Sequence, residues 1–223
     1  MKQDKRAIKE LQIILAAEKT FQKVGYRNAK MEDIAKNAKI TKVTLYSYFQ
    51  SKENLYLAVT YTGFQKLLDN YYITIEKERN NSGLACSIAI LETSMNFFKD
   101  NFLYSEALLE YFSIIRTSDK GLNKSKLTDA MIESIYFQKL QDIQNLPFKL
   151  SFQEIERGKK DGSIVSKLDS MLITLQGWTM ITGFAKILAA SGNSVKPLFK
   201  IDLMQLKNTN LDLAKLLLTN ESL

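Results

Sequence analysis

The stretch LQIILAAEKTFQKVGYRNAKMEDIAKNAKITKVTLYSYFQSKENL, residues 11–55, decides the fold. Leu11, Ile14, Leu15, Phe21 and Val24 recur at helical spacing and predict a first helix, and Gly25 just beyond them suits the left-handed turn that ends helices. A second short helix is expected over Met31–Asn37, offering Ile34, Ala35 and then Ala38 to a core. After a break at residues 39–41, the Thr41 hydroxyl can cap a third helix carrying Leu45, Tyr46 and Phe49. Two brief helices joined by about four residues form a helix-turn-helix, a device that presents its second helix to the major groove of DNA.

Charge supports this reading independently. Residues 1–60 hold 12 Lys and Arg against 6 Asp and Glu, whereas the other 163 residues hold 19 against 18. The excess positive charge therefore sits almost entirely on the helix-turn-helix part. A basic surface that covers phosphates releases condensed counterions, so binding there should depend steeply on salt.

The absence of histidine removes the usual general base at neutral pH and the commonest zinc ligand, so Ser-His-Asp, Cys-His and most zinc chemistries are excluded. Glu106 with Glu110, and Glu154 with Glu156, have the spacing of carboxylate pairs, for which a solvated helix face is the simpler account. Gly158 and Gly162 fit neither a phosphate loop nor a dinucleotide fingerprint. No enzymatic activity, cofactor or metal is expected. One cysteine, Cys86, has no partner for an internal disulfide and has no cationic neighbour in sequence, which favours an inert buried thiol. No apolar run approaches the roughly 20 residues of a membrane span, and the opening MKQDKRAIKE lacks the apolar core of a signal peptide. The chain is expected in the cytoplasm, with no membrane partner.

Beyond residue 55 the pattern is helical throughout, which makes the fold all-α: a three-helix amino-terminal domain over residues 1–51 and a helical bundle over residues 52–223. A long helix is expected from Ser51 or Lys52 to about Glu78, then a break at residues 79–83. Further helices are expected over 84–100, 102–117 and 124–159, the last kinked or split at Pro147 and ended by Gly158, Asp161 and Gly162. Residues 167–190 carry apolar side chains around the whole helical circumference and so must be covered on every side. Gly177 and Gly183 each cost about 1 kcal/mol there relative to Ala, which close packing or ligand approach would explain. After a loop at residues 191–197, Leu203, Leu206, Leu213 and Leu217 recur at helical spacing, while Thr209 with Asp212 permits a second start, leaving one helix or two over residues 198–219.

Leu15, Ala16, Ala17, Phe21, Gly25, Ile34, Ala35, Ala38, Tyr46, Phe49, Lys52, Glu53 and Leu55 together resemble the amino-terminal domain of the TetR (tetracycline repressor) family of bacterial transcriptional regulators. The likeness is ordered and ungapped over about the first quarter of the chain; the remainder agrees in length and helical character. Three residues depart from the family pattern. Lys30 stands where a Ser or Thr usually caps the second helix, a loss of roughly 1 kcal/mol unless Asn28 substitutes. Lys39 occupies a turn position where Gly is common, requiring either an ordinary right-handed backbone or some strain. Val43 replaces a frequent Gly at the start of the recognition helix, so base preference cannot be borrowed from relatives.

The resemblance implies that Lys30, Thr41, Lys42, Val43, Thr44, Ser47 and Tyr48 face DNA, with Tyr46 and Lys52 on phosphates. For Tyr46 and Tyr48 the edge of the core competes with a phosphate contact, whereas Leu45 and Phe49 read as core. It implies a homodimer through the last two helices, with Leu172, Leu175, Leu206, Leu213 and Leu217 at the interface, reading a palindrome of double-stranded operator DNA. It also implies a small-molecule effector, for which Met95, Phe98, Tyr111, Phe112, Tyr136, Trp178 and Met180 would suit a mainly apolar cavity, although ordinary core is the simpler role for most of them individually. The function expected is a repressor released from its operator by that effector. The alternatives are a DNA-binding protein of chromosome organisation or division control, and a ligand-binding helical protein without DNA activity.

Overall fold

The computed structural model describes residues 2–115, 128–191 and 200–222, and among them every regular element is an α-helix. In chain order these are α1 (Lys2–Asn28), α2 (Met31–Asn37), α3 (Lys42–Tyr48), α4 (Lys52–Lys77), α5 (Gly83–Asp100), α6 (Phe102–Ile115), α7 (Asp129–Ile132), α8 (Ile135–Ile143), α9 (Leu146–Lys160), α10 (Ser170–Ser191) and α11 (Leu203–Thr219). Side-chain oxygens set many of the starts: Thr41 accepts from the Thr44 amide, Ser51 from Asn54, Ser82 from Ala85, and Asp169 from Met171 and Leu172. Each satisfies a backbone donor that a helix leaves unpaired at its first turn.

Packing divides the chain into two units, Met1–Phe64 with Glu106–Ile143, and Gln65–Ser105 with Gln144–Leu223. By packing, most of α6 and all of α7 and α8 go with the amino-terminal helices. In the first unit α1 packs on α2 and α2 on α3, over a core of Ile13, Ile14, Ala17, Phe21, Ile34, Leu45, Phe49 and Leu55. The expected stripe on α1 is corrected in part: Leu11, Leu15 and Val24 are exposed, and Ile13 and Ala17 take their place. Gly25 adopts φ 75°, as its place at the helix end required, though the helical pattern resumes to Asn28.

In the second unit α5 packs on α9, α10 and α11, and α10 packs on α9 and α11. Gly83 permits the closest approach, since a Cβ there would stand 2.0 Å from the backbone nitrogen of Gly158, while a Cβ on Gly158 would stand 2.5 Å from Ile164 Cδ1. The chain after α9 turns at Gly162, φ 75°, and the Val165 and Ser166 amides donate to the Leu218 carbonyl. Ile155, Ile164, Ile173 and Leu218 are buried together there, with Leu84, Ile88 and Leu168 packed on them.

The segment expected as one helix over 124–159 is three within the described residues, interrupted at residues 133–134 and 144–145. Pro147 starts α9 rather than kinking it, as its missing amide allows. Residues 203–219 form one helix, which settles the open choice. Residues 116–117, 124–127 and the loop residues 192–197 lie outside the described residues. Helix α10, at 22 residues and a mean hydropathy of 1.2 in its most apolar window, reaches membrane-span length without being a continuous apolar run. Thr174, Gln176, Thr179, Thr182 and Lys186 interrupt its apolar surface. One side buries Ile173, Ile181 and Phe184, while Met171, Leu172 and Leu175 are exposed.

Candidate functional site

Helix α3 is seven residues long, too short to persist alone, so its position comes from what it is packed on. Leu45, fully buried, and Phe49 anchor it, which settles both as core. The opposite side stands in solvent: Thr41, Lys42 and Ser47 are exposed, Val43 is 81% exposed and Thr44 is half-buried. The hydroxyls are already ordered by the helix itself, Thr41 and Thr44 sharing a hydrogen bond of 2.9 Å and Ser47 donating to the Thr44 carbonyl. Such groups can still accept from base edges or phosphates.

The cations around α3 are partly engaged. Lys42 pairs with Glu32 of α2, and that hydrogen bond holds the Glu32 carboxyl below its ordinary pKa and the Lys42 ammonium above its own. Lys42 also lies over the Tyr46 ring. Tyr46 is exposed, on the solvent side of the helix, whereas Tyr48 is half-buried beneath the Arg6 guanidinium, 5.3 Å from its ring centroid. Lys30 is exposed and occupies the cap position of α2 without a side-chain cap bond; Asn28 does not substitute, since its amide donates to the Val24 carbonyl. Lys39 takes the left-handed backbone, φ 54°, so the strained alternative holds, at a cost of roughly 1 kcal/mol.

Lys52, expected on a phosphate, is held by the chain: its ammonium donates to the carbonyls of Tyr26, Arg27 and Ala29 at 3.0, 3.2 and 3.1 Å. These carbonyls lie at and just past the carboxyl end of α1, where a cation also meets the negative end of the helix dipole. The ammonium lies 4.7 Å from the Tyr26 ring centroid, and Tyr26 in turn packs on Tyr56. Sequence reasoning missed this clamp, and it missed Arg6 and Glu32 as neighbours of the recognition helix, because each contact joins residues distant in sequence.

The second unit contains an apolar cavity of about 60 Å³ lined from five helices, with Tyr71, Ile88, Leu91, Ile155, Ile173, Met180, Ala214 and Leu217 in its wall. The Ser87 hydroxyl is buried in the same wall and finds no hydrogen-bond partner among the described residues. Of the seven ligand candidates, Met180 lines this cavity. Met95 and Phe98 are core of the same unit, and Trp178 packs against Phe98 and Phe148. Tyr111, Phe112 and Tyr136 belong to the first unit, the first two on Phe64 and the third on Phe49 and Tyr61. Gly177 lines the cavity, and among the described residues neither it nor Gly183 has a neighbour within 4 Å of where a Cβ would stand, so no close packing there explains them.

Among the dimer candidates Leu172, Leu175 and Leu213 are exposed at 52%, 42% and 50%, and Leu206 and Leu217 are half-buried. Met171 of α10 and Leu216 of α11 add to this exposed apolar surface. Cys86 is buried, and burial beside Glu154 pushes its thiol up to about 12, which leaves it a poor nucleophile.

Residues 13–59 match the sequence profile of bacterial regulatory proteins of the tetR family. Over 59 residues the chain is 42% identical to the HTH-type transcriptional activator FasR of Mycolicibacterium smegmatis (strain ATCC 700084 / mc(2)155), a stretch covering 26% of this chain and 25% of FasR. The chain thus matches about a quarter of that relative's length. The fold is similar along nearly the whole chain to the transcriptional regulator FadR from Bacillus subtilis in complex with stearoyl-CoA, with TM-score 0.63 and 19% identity over 92% of this chain and 96% of that one. It is likewise similar to the fatty acid degradation regulator FadR from Bacillus halodurans, with TM-score 0.65 and 17% identity over 94% of each chain. A bacterial regulatory protein of the tetR family from Rhodococcus RHA1 gives TM-score 0.65 and 17% identity over 95% of this chain and 97% of its own. The helix-turn-helix of this chain is therefore that of the tetR family of bacterial regulatory proteins, carried on an all-helical fold similar to those of solved regulators.

Proposed function

We propose that the protein is a homodimeric repressor that reads a palindromic operator through α3 and leaves it when a small, mostly apolar effector binds the second unit. The observation that carries the reading is the solvent side of α3, where hydroxyls, Lys42 and the Val43 methyls stand exposed on a part of the chain with nearly all the excess positive charge. Val43 would meet a thymine methyl, and Thr44 and Ser47 base edges or phosphates. The exposed leucines of α10 and α11 support the dimer, since an apolar surface of this kind gains from being covered. Two reading heads related by a two-fold axis would contact half-sites about 34 Å apart.

For the effector, the apolar cavity with the single unsatisfied hydroxyl of Ser87 favours a ligand that is hydrocarbon over most of its length with a polar group at one point. Long-chain acyl compounds fit that chemistry, and the stearoyl-CoA complex of the Bacillus subtilis neighbour makes this class the first to test. At about 60 Å³ the cavity is far smaller than the roughly 300–1,000 Å³ of ordinary ligand sites, so binding must enlarge it. The test is selection of bound fragments from the source genome by the purified protein, repeated with stearoyl-CoA. The reading expects a few palindromic fragments, released by the acyl thioester. Many dispersed sites, or no binding at low salt by a folded dimer, would contradict it.

A further inference from the structure

Helix α8 belongs by packing to the reading head, although sequence gives no sign of it. Its Tyr136 phenol donates to the Glu10 carboxylate of α1 at 2.7 Å, across 126 residues of sequence. The Tyr136 ring lies near-parallel to that of Phe49, with centroids 6.1 Å apart and planes inclined by 25°, and meets the Tyr61 ring edge-on at 5.8 Å. Lys139, one turn further along α8, sets its ammonium 4.8 Å from the Tyr136 centroid and 5.5 Å from that of Tyr61.

Phe49 is the residue that closes the recognition helix: its amide donates to the Leu45 carbonyl, and its side chain is 2% exposed. The two ends of α3 are therefore held by different means. Thr41 holds the first through a local cap, while the second depends on how Phe49 is seated. Tyr136 touches that seat and α1 at once. In a helix of seven residues, a shift of the seat moves every side chain that faces solvent.

We propose that Tyr136 is a positioning residue for the recognition helix, with α8 acting as a strap that ties the end of α3 to α1. The proposal rests on the DNA-reading role of α3, and one arm of its test does not need DNA. In the full-length protein without DNA, Tyr136→Ala should speed amide hydrogen exchange of residues 45–49 by about tenfold or more, with exchange in α5 and α9 unchanged. Tyr136→Phe keeps the ring and loses the hydrogen bond to Glu10, and should give a smaller rise. Against a genome-selected fragment, both variants should lose affinity in the same order while the salt dependence keeps its slope, since no phosphate contact is removed.

Unchanged exchange in α3 for Tyr136→Ala would overturn the proposal whether or not the protein binds DNA. A reduced salt slope would also overturn it, by placing Tyr136 among the DNA contacts. If Tyr136→Ala fails to fold, Tyr136→Phe and Glu10→Gln decide: faster α3 exchange in Tyr136→Phe, with near-normal exchange in Glu10→Gln, supports the strap, and equal exchange in all three proteins overturns it. Failure of the wild-type protein to select any fragment would instead contradict the DNA reading.

Discussion

Helices α3 and α10 both leave side chains in solvent, and the two exposed surfaces differ in kind. On α3 the exposed groups are hydroxyls, one lysine, one valine and the Tyr46 ring, on a unit rich in positive charge. On α10 they include Met171, Leu172 and Leu175, and α11 adds Leu213 and Leu216. Hydroxyls and ammonium groups keep their hydration until a polar partner replaces it, which suits the wet, phosphate-lined surface of DNA. Exposed leucine gains roughly 25 cal/mol per Å² covered, so it suits an apolar partner such as a second copy. The proposed separate tasks of the two units rest on this difference, and substitutions can break it.

The largest effect is expected on α10. Leu172→Glu combined with Leu175→Glu places charges where the proposed partner would bury them, and should raise the dimer dissociation constant at least about 1,000-fold in sedimentation. Helicity of the single chain should not change, because both positions are exposed within it; a variant that stays dimeric would move the interface elsewhere.

In the head, Lys52→Ala removes three charge-assisted hydrogen bonds on a partly exposed group and should cost about 1–2 kcal/mol in urea unfolding. The salt dependence of DNA binding should hold its slope. A slope lower by about one unit per half-site would return Lys52 to the phosphate role implied by the family resemblance. Thr41→Ala is expected to cost about 1 kcal/mol through loss of the α3 cap, and Thr41→Ser should restore most of it.

The smallest contrast is in pH dependence, and it vanishes at neutrality. Burial raises the Tyr26, Tyr56 and Tyr136 phenols in the head above their ordinary value of 10.0, so their contribution is intact below about pH 10 and falls as pH rises beyond it. In the body the Cys86 thiol is raised from 9.0 to about 12, so its contribution is lost earlier, from about pH 9 upward. Cys86→Ala should flatten the loss of stability between about pH 9 and 10, measured by urea unfolding at each pH. An unchanged profile would show that the thiol ionises as easily folded as unfolded.

The head was the more legible unit because its signals are local. The bounds of α2 and α3, the Thr41 cap and the turn at Gly25 depend on residues within a few positions of each other. On α1 the run of Leu11, Ile13, Ile14 and Leu15 offers apolar groups in more than one helical phase, and of these Leu11 and Leu15 are exposed. What could not be read were the distant pairings. Lys52 reaches back to residues 26–29, Glu32 to Lys42, and Tyr136 to Glu10, and no periodicity encodes them. Aromatic content does not separate cavity from core: Tyr111, Phe112 and Tyr136 share the apolar character of Met180 but pack in a different unit. The break at residues 133–134 has neither Gly nor Pro; there the Ser134 hydroxyl accepts from the Tyr136 amide instead.

Whether the exposed side of α3 reads base sequence is decided by the binding of Lys42→Ala/Thr44→Ala/Ser47→Ala to a genome-selected fragment and its single-base variants, in salt of about 100 mM. The expected variant is a folded dimer that still binds DNA weakly and has lost its preference at particular base pairs, by roughly 1–3 kcal/mol for each bidentate contact removed. Full retention of that preference, or a loss equal at every position, would contradict it.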